Sequence, residues 1–184
     1  MKTNPAAALR AIFVGGLLAG TLDIGAAALI NRVSPVLIAR YIASGILGTA
    51  AFSMGTSAAY LGLISQWAMS VVIAAIYWLV TAWMPRLRER WWLGGLLAGI
   101  VIFPVMNFIV MPFSAAPVTL HQVIARFRPA KGIQDLLAMF VFGLIVAYCA
   151  RYLGSLARVG TGPPDARPLS EEGRQPPEMA GPRQ

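Results

Sequence analysis

Side chains that carry chemistry are scarce in this sequence. Its 184 residues hold one cysteine, one histidine and seven carboxylates, and 12% of the chain is charged, against about 25% in a soluble domain. Cys149 stands alone inside an apolar run, which excludes an intrachain disulfide and reads as core packing. His121 has no cysteine or carboxylate at ligand spacing, so no metal site and no histidine pair for haem can be built. There is no phosphate loop and no dinucleotide fingerprint. Without a nucleophile and base to pair, the reading is non-enzymatic: no catalytic, cofactor-binding or metal-binding residue is expected.

What the chain does have is apolar length. Hydrophobic residues make up 58% of it and the mean hydropathy is +0.68. The expected fold class is an all-α integral membrane protein, with the lipid bilayer as its first partner. The net charge of +8 comes from 15 basic residues that lie beside apolar runs. They read as membrane-edge anchors, and nucleic acid is not an expected partner.

Runs long enough to span fall at roughly 9–31, 57–84, 91–111 and 133–153. The first reads as a span and not a cleaved leader, because it is long, contains Asp23 and precedes further apolar runs. Residues 36–54 form another apolar stretch, opened by Ser34-Pro35 as N-cap and first helical position. Counting it as a span would put Arg86, Arg88 and Arg90 across the membrane from Lys2 and Arg10, against the positive-inside rule. It is therefore expected to be a short interfacial or re-entrant helix. Four spans place seven basic residues on the edge with Lys2 and Arg151, and five on the edge with Arg32 and Lys131. Both termini are then expected in the cytoplasm.

The chain also repeats. Gly15-Gly16-Leu17-Leu18-Ala19-Gly20 recurs as Gly94-Gly95-Leu96-Leu97-Ala98-Gly99, 79 positions later. A Ser/Pro element, an amphipathic stretch and a second long apolar run follow each copy. The expectation is a membrane domain over 1–159, made of two tandem two-helix repeats (about 9–84 and 91–153) related by a pseudo-twofold along the membrane normal. Gly16, Gly20, Gly95 and Gly99 are expected to be helix-packing residues. Residues 160–184 are rich in proline and poor in large apolar residues, and are expected to be a disordered tail.

Asp23 is the one carboxylate well inside a predicted span. At helical spacing it shares a face with Gly16, Gly20 and Ala27, so it should point at another helix and not at lipid. There it must meet a cation or hydrogen-bond donors, or hold a proton. Gln66 and Asn107 are the expected partners, with Pro104 loosening the helix beside Asn107. Two functions stay open. One is membrane assembly or interaction, as a homo-oligomer or with other membrane proteins, through a remaining small-residue face such as Gly95 and Gly99. The other is a small transporter or channel component with a polar site of Asp23, Gln66 and Asn107.

Tyr77, Pro85 with the basic residues after it, Gly95-Leu96-Leu97-Ala98-Gly99, the exit from Pro112 to Pro117 and the stretch 135–151 form a pattern that resembles a known family. It is similar to the YagU-like bacterial inner-membrane proteins over roughly residues 62–155. Where that pattern has histidine, this chain has Gln66 and Met139. The resemblance implies a small polytopic protein of the bacterial inner membrane, without a substrate.

Overall fold

A polypeptide in hydrocarbon must satisfy its own amide groups, and uninterrupted helices do so within one segment. The computed structural model describes residues 5–116 and 129–155 and is helical throughout, with no strand among the described residues. The elements are α1 (Pro5–Asn31), α2 (Pro35–Leu47) with a 3-10 turn after it (Gly48–Phe52), α3 (Thr56–Trp83), α4 (Pro85–Glu89), α5 (Trp91–Pro104) and α6 (Pro129–Ser155). α5 runs on through a π-helical segment (Val105–Val110) and a last turn (Met111–Phe113).

Among the described residues five stretches are long and apolar enough to cross a membrane: Pro5–Asn31, Pro35–Phe52, Thr56–Trp83, Trp91–Phe113 and Pro129–Gly154. Four match the runs read from the sequence. The other is the stretch set apart as interfacial, and it is divided into α2 and the 3-10 turn. The expected second interfacial helix, His121 and the proline-rich tail lie outside the described residues.

Local chemistry explains the boundaries. α1 ends in a Schellman arrangement: Val33 N–H donates to the Ala28 carbonyl at 3.0 Å and Arg32 N–H to the Leu29 carbonyl at 3.2 Å. Arg32 takes the left-handed position (φ 54°) usually given to glycine, and Val33 packs back on the cluster that holds Ala28. α2 begins as expected, with the Ser34 hydroxyl accepting from Leu37 N–H at 3.2 Å and Pro35 in the first turn. The π segment lies between Pro104 and Pro112. Each proline removes a donor and crowds the preceding turn, so the helix widens there instead of breaking.

Glycine sets the helix spacing. A Cβ on Gly16 would sit 2.7 Å from Val71 Cα of α3, and one on Gly95 would sit 2.8 Å from Leu144 Cα of α6. Gly62 meets the Ala39 carbonyl of α2, and Gly143 meets the Gly95 carbonyl. Along α1 and α3 the contacts run Gly16 to Val71, Gly20 to Ser70 and Asp23 to Gln66, so these helices are antiparallel. Gly95 facing Leu144 and Gly99 facing Met139 and Phe140 make α5 and α6 antiparallel too.

The packing order departs from a pseudo-twofold. α1 lies along both α3 and α6, whereas α5 lies along α6 alone and meets α3 where Tyr77 reaches Gly94. An expected free face is also corrected: Gly95 and Gly99 are consumed by contact with α6 of the same chain and offer nothing to a second one. The core is small-residue, built on Ala11, Ala19, Ala74, Phe142, Val146, Ala147 and Ala150. Cys149 is buried beside Gly15, as expected of a packing residue. Bulky side chains such as Leu22, Ile64, Val72, Ile76 and Ile100 line the outside, an arrangement suited to lipid and not to water.

Gly95→Ala should destabilise the protein by about 1–3 kcal/mol, because backbone has to move to admit the methyl group. Gly25→Ala, where an added Cβ meets nothing within 4 Å, should be neutral or stabilising by up to about 1 kcal/mol. Thermal unfolding in one detergent checks both. Equal effects at the two positions would contradict the close α5–α6 crossing.

Candidate functional site

Asp23 reaches the middle of the α1–α3 seam because the glycines on its face bring the two helices close enough for a short acid to cross. Gln66 Nε2 donates to Asp23 Oδ2 at 2.8 Å. Next to this pair, on the exposed edge of the crossing, Trp67 Nε1 donates to Thr21 Oγ1 at 3.0 Å, and the Thr21 hydroxyl donates to the Leu17 carbonyl at 2.7 Å. Gln66 is 6% exposed and Ser70, opposite Gly20, is 1% exposed. The seam is thus polar and enclosed at Gln66 and Ser70, where an unpaired donor or acceptor costs far more than in water, and exposed at Thr21. The expected Asp23–Gln66 pairing is present.

Asn107 is elsewhere. It lies on the π segment of α5, and its amide donates to the Phe103 carbonyl one turn back at 2.9 Å. α1 and α5 do not pack along each other, so the expected three-residue cluster is a pair with Asn107 apart from it. Sequence reading placed each of the three within a predicted span but could not tell which helices are neighbours.

α6 carries a further carboxylate on the half of the bundle that holds Asp23. Asp135 lies on its first turns. Its partner is Lys131, at 3.6 Å one turn earlier. Sequence reading passed over it, because a Lys–Asp pair at i,i+4 usually marks a solvated helix end. Only the antiparallel packing of α1 on α6 sets that end in the same half as Asp23.

At the opposite end Arg151 Nη1 donates to the Arg88 carbonyl at 3.1 Å and also to the Glu89 carbonyl, tying α6 to α4. The Arg88 guanidinium lies 4.5 Å over the ring of Trp78, which is buried. Trp91 packs edge-on against Tyr148 at 5.6 Å and Tyr152 at 6.4 Å. The Tyr77 hydroxyl is buried without a hydrogen-bond partner against Gly94. The arginine triplet and Arg151 therefore share one end of the bundle.

Among the described residues no three His, Cys, Asp or Glu side chains come together as metal ligands. Fold and site define a class: an all-helical chain with five helices fit by length and composition to cross a membrane, and a buried polar seam between two of them. No family model matches the chain, and neither does any curated protein or solved structure.

A double-mutant cycle with Asp23→Ala and Gln66→Ala should return a coupling of about 0.6 kcal/mol, the average for a membrane hydrogen bond. Gln66→Ala alone should cost about 1–3 kcal/mol, because it leaves the acid unpaired in an apolar setting. Strictly additive losses would show that the bond carries no energy.

Proposed function

We propose a four-span, non-enzymatic protein of the bacterial inner membrane, YagU-like, that works by assembling with a membrane partner, a second copy of itself. The observation that carries this reading is the exposure of α5. Only 6% of its apolar stretch is covered by the rest of the chain, against 28% for α3 and 33% each for α1 and α6. With Gly95 and Gly99 engaged inside the chain, the assembling face is the far side of α5, where Leu97, Ile100 and Val101 stand out.

Helix direction supports four crossings. α3 runs antiparallel to α1, so α2 and its 3-10 turn begin and end at the same membrane face. That arrangement keeps Arg10 and the 86–90 cluster together, as the positive-inside rule asks, with that end in the cytoplasm. The tandem-repeat part of the reading rests on matched crossings: Gly16 on Val71 in one helix pair and Gly95 on Leu144 in the other.

A second reading, transport of protons or cations along a polar site at Asp23 and Gln66, is favoured by one observation. Asp23 and Gln66 form a hydrogen-bonded pair between two helices, and an ionisable residue inside a bundle is the usual mark of such a pathway.

Two experiments separate these. Single cysteines at Leu97, Ile100 and Val101, each in a Cys149→Ala background, should cross-link copies into dimers when native membranes are oxidised; monomer at all three positions would remove the assembly reading. Asp23→Asn should leave ion flux in proteoliposomes unchanged if assembly is the role. Loss of a pH-driven flux present in the parent would install the transport reading instead.

A further inference from the structure

We propose that the arginine end of the bundle holds the headgroup of an anionic phospholipid between Arg86 and Arg90. The inference goes beyond the assembly reading and needs only that this end meet a membrane surface.

Charge is the first argument. Among the described residues this end carries Arg10, Arg86, Arg88, Arg90 and Arg151 against one carboxylate, Glu89. Two of the arginines already have work within the chain. Arg88 covers Trp78, and Arg151 holds the Arg88 and Glu89 carbonyls.

Geometry singles out the other pair. Arg90 N–H donates to the Arg86 carbonyl at 3.0 Å, so Arg90, the residue that caps α4, lies one helical turn beyond Arg86. Both are exposed, and neither has an ion pair among the described residues. Like charges at that spacing repel, and the Arg151 clamp prevents the turn from unwinding to separate them. A phosphate diester between two guanidiniums removes the repulsion and matches their donor geometry.

Depth selects the source of the phosphate. Trp83 is 87% exposed and Trp92 53%, flanking the pair on either side in sequence. Exposed tryptophans at the ends of apolar helices sit at headgroup level, so Arg86 and Arg90 lie where lipid phosphates are. Above them the flank of α3 presents Ile76, Leu79 and Val80, an apolar wall for the acyl chains.

The test is native mass spectrometry of the full-length protein, delipidated in detergent and offered equimolar phosphatidylglycerol and phosphatidylcholine. Phosphatidylglycerol should be retained in preference. R86Q/R90Q should lower its retention roughly thirtyfold, the equivalent of about 1 kcal/mol for each guanidinium at an anionic surface. Both substitutions are at exposed side chains, and an unchanged melting temperature without lipid would show that the fold is intact. Equal retention of the two lipids by the parent would overturn the proposal, as would a variant that keeps phosphatidylglycerol like the parent. So would inorganic phosphate raising the melting temperature as much as phosphatidylglycerol does, because the site would then read free phosphate and not a headgroup.

Discussion

The distance between helix backbones is the constraint from which the rest of this structure follows. In lipid no hydrophobic force drives one apolar helix onto another, so association depends on close packing and on polar contacts that close packing permits. Gly16 and Gly20 let α3 approach α1, Gly95, Gly99 and Gly143 let α5 approach α6, and Gly62 admits the backbone of α2. A methyl group at any of these positions would collide with a neighbour. The bulky residues face outward, where lipid chains accommodate them.

The polar seam depends on that approach. An aspartate reaches only a short way from its helix, and Gln66 meets Asp23 because Gly20 has already drawn the two axes together. Thr21 and Trp67 continue the same seam to its exposed edge. Polar groups at the crossing fix the register of α1 against α3, since a slip of one turn would leave Asp23 and Gln66 facing apolar side chains. Assembly and transport readings differ in what this seam is for, but both require it to be in register.

The two ends of the bundle are built differently. At one end the chain turns through Arg32, α2 and the 3-10 turn, with Ala115 N–H bonded to the Gly45 carbonyl to join the exit of α5 to α2. At the other end Arg151, Arg88 and Trp78 lock a tight connection between α3 and α5 against α6. The second end is held by cations and aromatic rings, and the proposed lipid site belongs there because Arg86 and Arg90 stand exposed one turn apart between the exposed Trp83 and Trp92.

Residue order alone determined that the protein is helical and apolar enough for a membrane, where its long helices lie, and that Asp23 would face Gln66 across a seam of small residues. These are legible because helical periodicity, proline and glycine positions, and charge at the ends of apolar runs are local properties. Tertiary structure decided which helices are neighbours. It separated Asn107 from Asp23 and spent Gly95 and Gly99 on packing inside the chain. It also put α1 between α3 and α6 with no matching contact of α5 along α3. Apolar helices with small-residue faces can pair in several orders at similar energy, and only the whole set of backbone approaches and polar contacts, satisfied together, selects one.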